Sequence, residues 1–399
     1  LLKEKQTYDG GSQINREIYT WDAPYLISNE LYIRPPYDGS DGYHPTYYDN
    51  AVYAPVLVRK DIVRDGGTYT TTYGSFDASY NPRTISESGQ ASRTTSVSYF
   101  PRASGQNIVR LAEDEVSSGR TITRTFDANG NPTQVTRNGV RENYNYYASG
   151  DLASKTNARG QTWSYSSYDR GIPQQENHPA GVSIRRTVNS TGTVASETNG
   201  RGYTTSYSYN RMNQLTSINP PAGSSISISW SSSGRTVTRG SYSQATTFYG
   251  FGRPSYINTS GVTKNINYNA LGFKTFESYY SSSSGDSYSP DVLGRVTAIS
   301  HADGTRRSID YRSGNSVSIT NERGYATTFS YRSFGDPDNA EDKVLMRIDS
   351  PEGISTVFSR NLLGLPTSIS QGGVSRSYSY NSSNFLTSES NPETGTTSY

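Results

Sequence analysis

A motif recurs about every 21 residues through most of this chain, and that periodicity restricts the fold more than any single residue does. The motif is an aromatic residue, then Asp or Asn, two variable residues, Gly, one residue, and Pro or Leu. Phe126-Asp127-Ala128-Asn129-Gly130-Asn131-Pro132 and Tyr268-Asn269-Ala270-Leu271-Gly272 are clean copies, and Asp291-Val292-Leu293-Gly294-Arg295 is another. The landmark Gly falls at Gly130, Gly150, Gly171, Gly192, Gly234, Gly252, Gly272, Gly294, Gly314, Gly335 and Gly364. Asn213 and Asn384 stand where Gly is missing, and Asn is the residue that best tolerates positive φ after Gly. A fixed period of this length means one supersecondary unit copied many times, each burying its apolar face against its neighbours.

A second punctuation lies between landmarks. Thr156-Asn157-Ala158-Arg159-Gly160 recurs as Thr198-Asn199-Gly200-Arg201-Gly202 and as Thr320-Asn321-Glu322-Arg323-Gly324. Elsewhere the place holds His178-Pro179-Ala180-Gly181 or Ser350-Pro351-Glu352-Gly353. This is turn chemistry, so each unit has two turns and two strands. Between turns the pattern alternates, as in Tyr203-Thr204-Thr205-Ser206-Tyr207-Ser208-Tyr209, which signals strands with one apolar and one Ser/Thr face. No stretch shows helical periodicity. The expected fold is all-β: hairpins at a period of about 21 residues forming a spiralling sheet.

The chain has 399 residues and 32 % hydrophobic residues, below the usual 45–50 % or so. It carries 34 Tyr against 11 Phe and 3 Trp, so Tyr is buried where other proteins bury Leu. Tyr has a large apolar body and a polar tip, suited to a half-wet sheet face or a cavity wall. The net charge of +2 points to neither nucleic acid nor an anionic membrane surface. No apolar run approaches the roughly 18 residues that span a bilayer. With no cysteine, disulfides and Cys-based metal sites are excluded. Scarce Cys, Met and His fit a secreted or cell-surface protein.

Two regions are expected. Residues 1–68 lack the clean repeat and read as a leading irregular β region or cap. Within it, 33–42 reads as loop, and 51–58 as a strand whose Pro55 suggests an edge or a bulge. Residues 69–399 read as the repeat array, stopping mid-unit at the C-terminus as a truncated array would. One step of 29 residues, from Gly335 to Gly364, holds the polar insertion Asp338-Asn339-Ala340-Glu341-Asp342-Lys343, which reads as a protruding loop.

The Tyr-Asp-x-x-Gly-Arg/Asn-Pro/Leu pattern over 69–399 resembles the YD repeat of the Rhs family. That family includes bacterial Rhs polymorphic toxins, wall-associated YD-repeat proteins, the B and C components of insecticidal Tc toxins, and animal teneurins. The resemblance implies a β-sheet ribbon coiled into a hollow shell, which in bacterial members encloses a C-terminal toxic domain. The Asp-Pro-x-Gly-Leu-like self-cleavage segment of the Rhs core is missing; Gly335-Asp336-Pro337-Asp338-Asn339 shares only Asp-Pro. Thirteen hairpins, about 26 strands at about 4.8 Å, give a ribbon of about 125 Å. Around a folded cargo that amounts to about one turn of roughly 130–150 Å.

Candidate sites reduce to structural readings. His44, His178 and His301 share no metal-ligand spacing. Asp127, Asp169, Asp291 and Asn210 recur at one slot per unit, which predicts Asx capping of a tight turn. Asp38, Asp41, Asp336, Asp338 and Asp342 lie in expected loops without Ca²⁺-ligand spacing. Trp163 and Trp230 share strand faces with Tyr165 and Ile228 and read as sheet packing. No catalytic, cofactor-binding or metal site is expected, and no cofactor. The leading function is a non-enzymatic scaffold walling off a toxin or effector domain. Its partners would be that enclosed domain and further shell, from remaining sequence or a partner subunit. The alternative is an adhesion or fibre protein whose outer loops bind glycans or a cell-surface receptor. A Tyr-rich inner wall favours the first, and aromatic clusters on outer loops the second.

Overall fold

Consecutive antiparallel pairing organises the whole chain. The computed structural model describes residues 2–34, 46–101 and 110–399, with side chains outside 23–54. These residues form 34 strands, from Glu4–Asp9 to Gly395–Ser398, and each pairs antiparallel with the next in sequence. The first and last strands do not pair, so the sheet is not closed. One 3-10 turn, Pro179–Gly181, is the only helix among the described residues, and no helix is long and apolar enough to cross a membrane. The leading region supplies the long strands Ser12–Arg34 and Thr46–Arg64, in series with Gly67–Phe76. Pro55 lies where the register between these two long strands shifts, so it marks a bulge. Of the expected loop 33–42, Ile33 and Arg34 instead end the strand Ser12–Arg34; residues 35–42, with Asp38 and Asp41, and His44 lie outside the described residues.

In such a ribbon, turns fall alternately on two edges. Landmark turns follow even-numbered strands and second turns follow odd-numbered strands. The landmark works as its residue types require. Asn269 Oδ1 accepts from the backbone N–H of Leu271 at 3.1 Å and of Phe273 at 2.9 Å, while Gly272 N–H donates to the Asn269 carbonyl at 2.9 Å. Asp127, Asn210 and Asp291 cap in the same way. Asp169 does not: Arg170 and Gly171, both at positive φ, form a two-residue hairpin, and Asp169 is simply the last strand residue, opposite Ile172. Gly272 sits at φ 78°, and Asn213 and Asn384 take the same turn at 58° and 65°. Gly234 and Gly335 depart from this. Neither runs at positive φ, and each lies where a neighbouring group passes too close for a Cβ.

The landmark aromatic explains part of the tyrosine content. Tyr146, Tyr209, Tyr268 and Tyr380 each donate the phenol hydroxyl to the carbonyl of the first residue of the preceding strand, at 3.1, 3.0, 2.8 and 2.9 Å. A register shift precedes each of these tyrosines in the pairing with the next strand. Tyr satisfies a backbone acceptor at the ribbon edge that Leu or Phe would leave unpaired. Trp230 does the same, donating Nε1 to the Leu215 carbonyl at 2.8 Å, and Trp163 faces Lys155 across its strand pair.

The ribbon coils. The second-turn glycines Gly66, Gly89, Gly119 and Gly139, after strands three, five, seven and nine, face Ser313, Phe334, Leu363 and Ser383, in landmark turns after strands 26, 28, 30 and 32. The step is constant at 23 strands. It is odd because opposite edges meet. At about 4.8 Å per strand one turn is about 110 Å long, a ring about 35 Å across. The 34 strands therefore make about one and a half turns rather than one. The larger expected circumference assumed a folded cargo inside; the smaller one follows from which turns meet.

Replacing Gly272 by Val places a β-branched residue at positive φ and should destabilise the fold by about 1–3 kcal/mol. Equilibrium unfolding measures this, and an unchanged midpoint would contradict the turn assignment.

Candidate functional site: the seam between coils

Four rungs of turn-on-turn contact define the seam. In each, the residue before the landmark Gly or Asn lies over a glycine of the earlier coil. An added Cβ would lie 3.4 Å from the Ser313 Cβ at Gly66, 3.9 Å from the Leu363 Cγ at Gly119, and 3.5 Å from the Ser383 Oγ at Gly139. At Gly89 it would overlap the Phe334 carbonyl oxygen. Phe334 is 1 % exposed, the most deeply buried of these four. Around it the Ala91 N–H donates to the Ser333 carbonyl at 3.4 Å, and the Ser333 N–H to Gln90 Oε1 at 3.3 Å. Gln90 Nε2 in turn donates to the hydroxyl of buried Tyr69 at 3.0 Å.

Arginines bolt the rungs together. Arg93 donates Nη1 and Nη2 to Asp342 at 2.6 and 2.7 Å and Nε to Glu87 at 2.6 Å, with its guanidinium 4.4 Å from the Phe334 ring centroid. Arg295 reaches the other way, to Asp65 at 2.6 and 3.2 Å, while its Nε binds Asp291 at 2.7 Å. Arg64 pairs with Asp338. Bidentate charge-assisted pairs fix geometry as well as adding energy, and removing one partner leaves a half-buried charge unpaired. Burial works against the Arg93 guanidinium, but Asp342 and Glu87 outweigh it and raise its pKa above the ordinary arginine value. Arg295 behaves likewise, burial being outweighed by Asp65 and Asp291.

This corrects the reading of the insertion. Residues 338–343 are exposed at Asp338, Ala340 and Glu341 but do not stand free of the body. Two of them reach the seam, Asp342 on Arg93 and Asp338 on Arg64, while the Asp336 carboxylate accepts from the Asp338 N–H at 2.9 Å. Arg64, Asp65, Arg93 and Arg295 escaped the sequence reading because their partners are more than 200 positions away. The visible signal was the long repeat step that admits the insertion. A cavity of about 360 Å³ opens beside the seam, lined by Lys60, Glu87, Arg93, Glu115, Arg120 and Asp336 among others. Its charges are of both signs, with no assembled nucleophile or base.

His178 and His301 each have their own acidic partners. His178 Nε2 lies 2.7 Å from Glu176. His301 bridges Asp286 at 2.9 Å and Glu322 at 3.1 Å. Among the described residues no group of three or more acidic or histidine side chains is arranged to hold a metal ion. Asp286, then Glu322, raises the His301 pKa. The folded state thus favours the protonated ring. That contribution is present below the ordinary value of 6.5 and is lost as the pH rises through the folded-state pKa.

Gly89→Ala forces a methyl group onto the Phe334 backbone and should cost about 1–3 kcal/mol, the usual range for overpacking. Unfolding that matches the unchanged protein would place Gly89 outside any contact. An NMR titration of His301 should give a midpoint above 6.5, falling in Asp286→Asn; a midpoint at or below the ordinary value would remove the bridge.

A family model for the RHS repeat matches residues 189–225. No curated protein shows significant sequence similarity to the chain. Among solved structures, the Tc holotoxin pore of Photorhabdus luminescens aligns with TM-score 0.56 at 11 % identity, covering 99 % of this chain and 26 % of that one. A crystal structure of TcdB2-TccC3 without the hypervariable C-terminal region aligns with TM-score 0.57 at 10 % identity, covering 99 % and 26 %. The chain thus spans about a quarter of the length of the chains it matches, and the likeness is one of fold.

Proposed function

We propose that the chain is a YD-repeat protein of the Rhs family and a section of shell wall enclosing a toxin or effector segment, with no catalytic activity of its own; the RHS-repeat match over 189–225 and the fold shared with Tc toxin structures support this. In this reading residues 1–68 lead into the wall and 69–399 build it. Its partners are further shell and the enclosed segment, in a secreted assembly. The seam is the observation that carries the reading. Turns packed on turns, pinned by Arg–Asp pairs, hold successive coils edge to edge as a wall. A free ribbon serving as a fibre would have no use for a fixed step of 23 strands.

The seam also weighs against adhesion. Exposed aromatics such as Tyr203, Phe251 and Tyr325 lie in or beside turns on the ribbon edges. Phe251 occupies the slot that Phe334 fills inside the seam. Ring width constrains the cargo. A folded domain of about 100 residues is itself about 35 Å across, as wide as the backbone ring. The enclosed segment is therefore smaller than that or incompletely folded.

Electron cryomicroscopy of the assembly containing this chain is the test. A hollow β-walled compartment with density inside is expected. A solid rod or sandwich over residues 69–399 would overturn the reading. So would a hydrolase or transferase activity of the isolated chain that disappears on changing one residue.

A further inference from the structure

Three Asn-Gly pairs occur in the chain: Asn129-Gly130, Asn138-Gly139 and Asn199-Gly200. Glycine has no Cβ to screen its nitrogen, so in such a pair that nitrogen can reach the asparagine's own side-chain amide carbon and close a succinimide ring. The fold treats the three pairs differently. Asn138 is held at both amide atoms: Oδ1 accepts from the Thr121 N–H at 2.6 Å, and Nδ2 donates to the Gly119 carbonyl at 2.8 Å. Gly139 itself faces Ser383 in the seam. Asn199 is a turn cap, with Oδ1 accepting from the Arg201 and Tyr203 N–H groups at 2.9 and 3.2 Å. Beside it, a Cβ added at Gly200 would lie 2.6 Å from the Val182 Cγ1, so this peptide has no room to swing. In the turn of Asn129 the capping falls to Asp127, whose Oδ1 accepts from the Asn129 and Asn131 N–H groups at 2.9 Å each. The Asn129 side chain is exposed and has no hydrogen-bond partner among the described residues. A single bond restrains the attacking nitrogen: the Gly130 N–H donates to the Asp127 carbonyl at 3.0 Å, and a local opening of the turn releases it.

We propose that Asn129 is a site of spontaneous deamidation through a succinimide in the folded protein, and that the fold protects Asn138 and Asn199. The Gly130 nitrogen bonds to the Asn129 Cγ. The Cγ–Nδ2 bond breaks, and Nδ2 leaves as ammonia, taking up through water the proton that the Gly130 nitrogen gave up. Water then opens the ring. Opening at the side-chain carbonyl gives Asp at 129 with the ordinary backbone. Opening at the main-chain carbonyl gives isoaspartate, whose backbone runs through Cβ and Cγ. The two products differ in consequence. Asp leaves the turn as it is. Isoaspartate lengthens the chain between Asp127 and the N–H groups of Gly130 and Asn131, carries both off their acceptors, and so uncaps the landmark turn.

Incubating the folded chain in mildly alkaline buffer, and following the three Asn-Gly peptides by mass spectrometry with isoaspartyl methyltransferase as the probe for isoaspartate, tests this. Asn129 should convert at least about fivefold faster than Asn138 or Asn199, the ratio expected when one fewer hydrogen bond must open. In denaturant the folded-state bonds are gone and the three rates should converge. Hydrogen exchange reads the consequence: the Asn131 amide should exchange faster in the isoaspartate form than in Asn129→Asp, which has the same charge on an ordinary backbone. Asn138 or Asn199 converting as fast as Asn129 in the folded chain would overturn the proposal. So would a spread of rates that persists in denaturant, which would place its cause in the flanking sequence rather than the fold. Equal exchange at Asn131 in the two forms would overturn the uncapping.

Discussion

Packing of one turn against another, a whole coil away, is the contact on which the architecture depends. A single β-hairpin is marginal in water, and a flat ribbon of many strands would expose both faces and two long rows of turns. Coiling with a constant step lets each landmark turn rest on a second turn of the previous coil. At the Gly89 rung the fit requires a glycine, because the Phe334 backbone fills the space a side chain would take. It also requires fixed phase, which the Arg93–Asp342 and Arg295–Asp65 pairs supply. Bidentate geometry makes these pairs poor at tolerating a slip of register, and that matters more than their net contribution to stability.

Local structure was legible in the sequence to the level of individual turns. Asp127, Asn210 and Asp291 cap where their slot says they should, and Asn213 and Asn384 replace Gly at positive φ as expected. Alternation of Tyr and Ser marked strands, because period two has one structural meaning over five to eight residues. Part of the excess of Tyr has a cause: at the landmark its hydroxyl closes the edge of the preceding strand. Asp169 shows the limit, since the shorter Arg170-Gly171 hairpin leaves no loop amides to cap.

What the sequence did not show was curvature and phase. Nothing local to Arg93 announces Asp342, and the insertion looked solvent-bound because it is polar. Curvature is a property summed over 23 strands, to which each hairpin contributes a small rotation. It becomes readable only when contacts fix which turns meet. Hence the ring estimated from an assumed cargo came out too wide. The seam itself was partly visible as glycines recurring in second turns, which turn chemistry alone also explains.

The central claim is that the ribbon rolls up so that second turns meet landmark turns of the following coil. Because the chain has no cysteine, Ser118→Cys with Ser382→Cys gives a clean pair of spin-label sites in exposed turns on opposite edges, beside the Gly119–Asn384 contact. Double electron–electron resonance should show a narrow short-distance population, as for neighbouring loops. An unrolled ribbon would separate the labels by about 120 Å along the sheet. Absence of any short distance in the folded protein would contradict the account.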